Sequence, residues 1–320
     1  MPEIMTEALK VVRRSKLFVP VNREKFVTKA WTRDADCIIL DLEDSIPPAD
    51  KDSARNMVKD ALPLVKKGGA DAEVRINRGL EEKDLDAVII PGLDSVFIPK
   101  CESSEEIQKI DRMVTELERE RGLPKGKIQF SLIIETAVGV INAESIAKAS
   151  PRIVQVSLGQ ADLSVDIGFP RFPEMNFIQF NYASNKVLYA AAAAKVQPTG
   201  LGAQDNVDFT STKMGYEAML KACRQAFWMG YMGASMIHPG WIKAANEGFS
   251  PPESDIATAR KVKHALDEAY AQGAGSVKVD GRMYDVANMK HVEYTIMRAD
   301  LIAKWVAKKA AALEAAGGVK

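Results

Sequence analysis

Carboxylates, with one arginine and one lysine among them, recur at the ends of short apolar runs in this chain. Asp41, Glu43 and Asp44 close or follow "CIILDLE" (37–43), Arg75 and Asn77 belong to "EVRIN" (73–77), and Lys100 ends "SVFIPK" (95–100). Glu135 ends "IQFSLIIE" (128–135), Asp162 lies just beyond "IVQVSLG" (153–159), and His238 falls in "GASMIHP" (233–239). A carboxylate ending a core run is costly unless it is solvated, paired or bound to a metal. A salt bridge from a strand-end Arg or Lys accounts for Glu135 taken alone, and a helix N-cap accounts for Asp162. Together they offer hard oxygen donors from adjacent strands with no Cys or His donor nearby, which favours Mg²⁺ or Mn²⁺ over Zn²⁺. Arg75 alternates with Val74 and Ile76, so it points into the mouth of the fold or toward a strand-end acid. There it stabilises a developing enolate or carboxylate, or forms a structural ion pair. Lys100 is a Schiff-base amine if its pKa is depressed and an ion-pair partner otherwise. His238 reads as a hydrogen-bonded histidine, and His264 and His291 as solvated helix residues.

Such residues need elements to hold them. Two further apolar runs, "KLFVPV" (16–21) and the weak "KVQPTGL" (195–201), complete a set of eight separated by helix-length amphipathic segments. One segment, 104–121, opens with Ser103 and Glu106 at capping-box spacing and ends at Gly122. Continuous apolar runs suit strands buried on both faces, and an eightfold β-α repeat predicts an α/β fold, a TIM (β/α)8 barrel. No G-x-G-x-x-G or GxxxxGK[ST] follows a strand, which weighs against a doubly wound nucleotide-binding sheet. The pattern breaks at "SPPESD" (250–255). We therefore expect a barrel over 1–250 and a C-terminal extension over 251–320: a helix from about 255 to 271, a Gly-rich connection with a strand-like stretch, and a last amphipathic helix.

Composition narrows the class. The chain has 320 residues, 43 basic and 43 acidic, so no net field favours nucleic acid or an anionic membrane. Cys37, Cys101 and Cys223 lie far apart, in neither a disulfide framework nor a zinc pattern. With no signal peptide and no run of about 20 apolar residues, the chain reads as cytoplasmic.

At "LFVPVNREKFVTKA", "IILDLEDSIPPADK", "EVRIN", "FIPK", "LIIETAVGVINAESIA", "SLGQADL", "IHPGWI" and "GRMYD" the chain resembles the citrate lyase β-subunit-like family, which includes malyl-CoA, β-methylmalyl-CoA and citramalyl-CoA lyases. The resemblance implies a Mg²⁺-dependent carbon–carbon lyase on a TIM barrel. Its substrates would be a small acyl-CoA thioester and a 2-oxo acid, and its assembly a homotrimer or hexamer in which the C-terminal segment closes over a neighbour's site. By the same resemblance Glu135 and Asp162 hold the metal, Arg75 binds a carboxylate or enolate oxygen, and Glu43 and Asp44 act through waters. Arg23 and Lys29 contact coenzyme A, and Asp285 of "GRMYD" is the acid/base given to the adjacent subunit. The chain departs from the family pattern at Val21 and Gln160, where glycine or a small residue is usual, and in the stretches 168–182 and 200–209. Competing readings are an aldolase on a free 2-oxo acid, metal-dependent or using Lys100, a non-catalytic barrel, and a lyase subunit served by an acyl-carrier protein.

Overall fold

The computed structural model describes residues 6–169, 180–204 and 214–317. All eight expected runs form strands: β1 (Ser15–Pro20), β2 (Cys37–Asp41), β3 (Asp71–Arg75), β4 (Ser95–Ile98), β5 (Gln129–Ile134), β6 (Ile153–Leu158), β7 (Gln197–Thr199) and β8 (Ala234–Met236). They form one sheet ordered β7-β6-β5-β4-β3-β2-β1-β8, every pairing parallel. The seam between β7 and β8 is crossed by two backbone hydrogen bonds, Met232 N to Pro198 O at 2.9 Å and Gly200 N to Gly233 O at 2.8 Å. These bring the sheet close to a closed TIM-type barrel. Pro198 has no N–H to give the ladder, which fits the three-residue length of its strand.

Side chains alternate along each strand between two interiors. Ile38 and Leu40 of β2, Ala72 and Val74 of β3, and Phe130, Leu132 and Ile134 of β5 join the large apolar core against the helices. The alternate positions meet across the barrel axis, and there the expectation of apolar strands on both faces fails. Glu73 Oε1 accepts from Arg13 Nη1 at 2.7 Å, Ser95 Oγ at 2.9 Å and Ser131 Oγ at 2.6 Å. Lys16 Nζ lies 2.8 Å from Glu73 Oε2 and 3.3 Å from Gln155 Oε1, and Gln155 Nε2 reaches Gln197 Oε1 at 3.3 Å. Burial alone would raise the Glu73 carboxyl, but the charges of Lys16 and Arg13 outweigh it and hold it at about 2. Above this polar floor lie Phe18 and Phe97, 6.0 Å apart between ring centroids, with the Lys16 ammonium 4.3 Å from the Phe97 ring.

Helix ends follow local chemistry. Ser103 Oγ accepts the Glu106 N–H at 3.2 Å and starts the helix Ser104–Glu120. The Glu106 carboxylate returns to the N–H of Glu102, one residue earlier than the capping box requires. Past Phe249 come the helix Glu253–Ala271, an antiparallel hairpin of β9 (Ser276–Val279) and β10 (Arg282–Asp285), and the helix Val286–Ala315. The sequence suggested one strand-like stretch there, and the chain makes two. Ala259, Val262, Leu266, Val279 and Val292 form a small apolar cluster of their own. The last helix is clamped beneath the barrel, with Lys309 Nζ 2.8 Å from Asp34 Oδ1 and 2.9 Å from Asp36 Oδ1, and Trp305 Nε1 3.0 Å from Asp36 Oδ1. All three cysteines are buried free thiols. Among the described residues no helix is long and apolar enough to cross a membrane.

Because the folded pKa of Glu73 is depressed, its stabilisation is complete above its unfolded value and is lost as pH falls toward about 2. Glu73→Gln should cost about 3–5 kcal/mol at neutral pH. It should also flatten the loss of stability below pH ~4.5. Urea unfolding at a series of pH values measures both, and equal stability of variant and wild type at neutral pH would refute the prediction.

Candidate active site

Of the polar residues predicted at the C-terminal ends of the strands, Asp44, Arg75, Glu135 and Asp162 line one cavity of about 300 Å³, with Phe18 and Gln160 among its other walls. Glu135 directly follows β5 and is 3% exposed. The Lys100 N–H donates to its Oε1 at 2.9 Å, and Gly159 leaves the space it occupies, since a β-carbon there would stand 2.4 Å from Glu135 Oε2. Asp162 sits in the first turn of the helix Gln160–Asp166, whose N-cap is Gly159, so the capping explanation of Asp162 does not apply. The two carboxyl groups hydrogen-bond each other. Burial, then the charges of Asp162 and Glu43, push the Glu135 carboxyl up to about 9. Among the described residues no salt bridge reaches Glu135, because Lys100 Nζ turns instead to Glu43 Oε1 at 2.7 Å.

Arg75 ends β3 beside Asp41 of β2, its Cα partner in the sheet register. Asp41 grips the guanidinium with both oxygens, Nε to Oδ1 at 2.6 Å and Nη2 to Oδ2 at 2.7 Å. Phe18 lies under it at 4.7 Å. The remaining nitrogen, Nη1, meets Asp44 Oδ2 at 3.1 Å and Glu43 Oε2 at 2.9 Å. The angle of the Glu43 contact leaves that buried oxygen without a hydrogen bond. Asp41 also shapes the loop that presents its neighbours, accepting from Glu43 N at 3.0 Å and Ser45 N at 3.2 Å. Sequence reading placed Asp41 in an acidic cluster and gave it no task. Its hold on Arg75 depends on strand register, for which its place opposite "EVR" was the one available signal.

Lys100 does not fit an imine-forming amine. Burial pulls its pKa down, but the hydrogen bond and charge of Glu43 outweigh that and raise it above the ordinary lysine value. His238 caps the turn Pro239–Trp241, its Nδ1 accepting from Gly240 N at 3.1 Å, and His264 and His291 lie on the surface. Arg23 and Lys29 are exposed on and beside the helix Glu24–Ala30 that follows β1. Asp285 does not line the cavity of its own chain. It caps the helix Val286–Ala315 in a full capping box with Asn288. Gln160 lines the cavity and donates through Nε2 to Gly202 O at 2.9 Å. Val21 is buried, and most of the divergent stretches at 168–182 and 200–209 lies outside the described residues.

Among the described residues no three His, Cys, Asp or Glu side chains gather closely enough to cage a metal ion. The chemistry of the donors nevertheless suits a hard cation. Two adjoining carboxyls, in no salt bridge among the described residues, match the one or two carboxylates through which Mg²⁺ is usually held, with water or substrate completing its shell.

A parallel barrel with acids converging at its C-terminal mouth defines an enzyme of the α/β-barrel class. Residues 14–239 match the HpcH/HpaI aldolase/citrate lyase family, and the chain belongs to it. It is 35% identical over 278 residues to citrate lyase subunit beta of Leuconostoc mesenteroides subsp. cremoris, covering 86% of this chain and 89% of that protein. It is 33% identical over 309 residues to an L-malyl-CoA/beta-methylmalyl-CoA lyase of Cereibacter sphaeroides, covering 90% and 95%. Among solved structures it resembles CitE of Mycobacterium tuberculosis in complex with magnesium, acetoacetate and coenzyme A, with TM-score 0.68 and 25% identity over 91% of this chain and 100% of that one.

Removing the clamp on Arg75 by Asp41→Asn breaks a buried pair and should destabilise the fold by about 3–5 kcal/mol. Chemical denaturation checks this, and a loss below about 1 kcal/mol would show that Glu43 and Asp44 suffice to hold the guanidinium.

Proposed function

We propose that this protein is a Mg²⁺-dependent carbon–carbon lyase that cleaves, or in reverse forms, a β-hydroxyacyl-CoA of the malyl-CoA or citramalyl-CoA type. The products of cleavage are an acyl-CoA and glyoxylate or pyruvate. The observation that carries this reading is the pairing of buried Glu135 with half-buried Asp162, neither of them in a salt bridge among the described residues, beside Arg75 in one cavity. Family membership and the similarity to a malyl-CoA lyase and to a coenzyme A complex support it. The assembly in this proposal is a cytoplasmic homotrimer or hexamer.

In the cleavage direction the substrate hydroxyl gives its proton to a water held at the rim by Glu43 and Asp44, and its oxygen becomes the carbonyl of the 2-oxo acid. The C–C bond breaks, and its electron pair passes to the α-carbon of the thioester as an enolate. Glu135 and Asp162 would hold Mg²⁺, which would supply Lewis-acid polarisation there. Glu43 and Asp44 orient waters at the rim, with Oε2 of Glu43, which makes no hydrogen bond, as one acceptor. Arg75, fixed in plane by Asp41 and on its face by Phe18, presents Nη1 to the developing negative oxygen. Asp285 of the partner subunit returns a proton to the enolate carbon. Arg23 and Lys29, exposed beyond β1, meet the phosphates or adenine of coenzyme A.

The test is acyl-CoA formation from malyl-CoA and citramalyl-CoA, each with Mg²⁺ and with EDTA, alongside free malate and citramalate. Cleavage of a thioester that EDTA abolishes is expected, and cleavage of the free acids alone would instead assign a CoA-independent aldolase. Glu135→Gln and Asp162→Asn should each abolish Mn²⁺ binding, read by electron paramagnetic resonance, together with turnover. Asp285→Ala should keep fold and Mn²⁺ binding and lose about 10²–10⁴-fold in kcat. Full turnover of Asp285→Ala would remove that residue from the mechanism.

A further inference from the structure

We infer that Lys100 is a positioning residue that sets the acidic mouth at two points at once, through its main chain on Glu135 and through its side chain on Glu43. The inference rests on the reading of Glu135 as a cation ligand given above.

Lys100 has φ of 51°, in the left-handed region. That conformation is disfavoured for a residue with a β-carbon and is usually left to glycine or asparagine. Such strain persists where the surroundings fix it, and it clusters at sites where it is used. Here its effect is directional. The backbone of Lys100 aims its N–H at Glu135 Oε1, 2.9 Å away, while its side chain runs to Glu43, with Nζ 2.7 Å from Oε1 and 3.9 Å from Asp44 Oδ1.

The other oxygen of Glu43 faces Arg75 Nη1 at 2.9 Å. Lys100 and Arg75 therefore divide one carboxylate between them. The Lys100 ammonium is a positive charge set among Glu43, Asp44 and Asp162, and it repels any cation bound beside them. Deleting it should have two effects of opposite sign. The mouth becomes more negative, so a divalent cation binds more tightly. Glu43 is left to Arg75 alone, so the guanidinium yields less readily to a substrate oxygen and turnover suffers. A lysine that merely braced the fold would not tighten metal binding when removed.

The test uses the full-length chain with Lys100→Met, Lys100→Gly and Lys100→Arg. Glycine is at home at this φ, so Lys100→Gly removes the ammonium in a backbone it can adopt without strain. Mn²⁺ affinity is titrated by electron paramagnetic resonance without substrate, and kcat and KM are measured with the thioester that the wild type cleaves. Lys100→Met and Lys100→Gly should bind Mn²⁺ about 10-fold more tightly. Both should lose about 10–100-fold in kcat/KM, with KM raised. Lys100→Arg should return both quantities to within about 3-fold of wild type, because it restores the charge. Unchanged or weaker Mn²⁺ binding in Lys100→Met and Lys100→Gly overturns the inference. So does a Lys100→Arg enzyme as inactive as Lys100→Met, since the amine itself would then be the reacting group. Wild-type protein that binds no Mn²⁺ overturns the cation site and this inference with it, a result visible before any variant is made.

Discussion

Two glutamates in one barrel, Glu73 and Glu135, are held at opposite ends of the carboxylate range, and the difference lies in whether a cation is built in beside them. Glu73, at the floor, has Lys16 and Arg13 in contact and two serine hydroxyls as donors, and its carboxyl is held at about 2. Glu135, at the mouth, is nearly as deeply buried, yet its neighbours are Asp162 and Glu43, and its carboxyl is pushed to about 9. Burial is unfavourable to both charges, and only the floor compensates it internally. The floor is thus self-sufficient, and the mouth is an acceptor for positive charge from outside. The aromatic storey of Phe18 and Phe97 lies between the two, with Lys16 against one ring and Arg75 against the other.

The mouth is arranged so that its own cations do not fill that need. Arg75 is turned to Asp41 and Lys100 to Glu43, which leaves Glu135 and Asp162 facing each other. Each of these choices has a local cause. Asp41 and Arg75 are register partners on neighbouring strands. Gly159 admits the Glu135 side chain where any β-carbon would collide with it. Lys100 adopts a left-handed backbone that sends main chain and side chain to different acids. An acidic site of this kind is kept open as much by the pairing of its basic residues elsewhere as by the acids themselves.

Much of this fold was legible in the sequence because buried parallel strands appear as apolar runs, and each of the eight runs became a strand. Membership of the HpcH/HpaI aldolase/citrate lyase family was legible too, because its motifs stand in order along the chain. The meeting of Glu135 and Asp162 followed from their places after adjacent strands. What stayed hidden depends on which strand faces which across a closed surface. Lys16, Glu73, Gln155 and Gln197 were passed over as polar interruptions of apolar runs, and they turn out to be the filling of the barrel. The task of Asp41 was hidden for the same reason, since register is a property of two strands together. In this structure Asp285 is a helix cap, and nothing in its spacing pointed to more.

That cap has a mechanical side. The helix Val286–Ala315 has 30 residues, about 45 Å at 1.5 Å per residue. It is fastened near its far end by Lys309 and Trp305 to Asp34 and Asp36 beneath the barrel, and it carries Asp285 at the other end with the hairpin. The helix is also held along its length, with Arg298 Nη1 donating to Val11 O at 2.8 Å and Val292 packed in the apolar cluster with the helix Glu253–Ala271, so the carboxylate at its tip is placed by contacts on two sides of the barrel. Substitutions at Asp34 or Asp36 would thus loosen one end of a helix whose other end is still held, and would be felt first as fraying of its last turns.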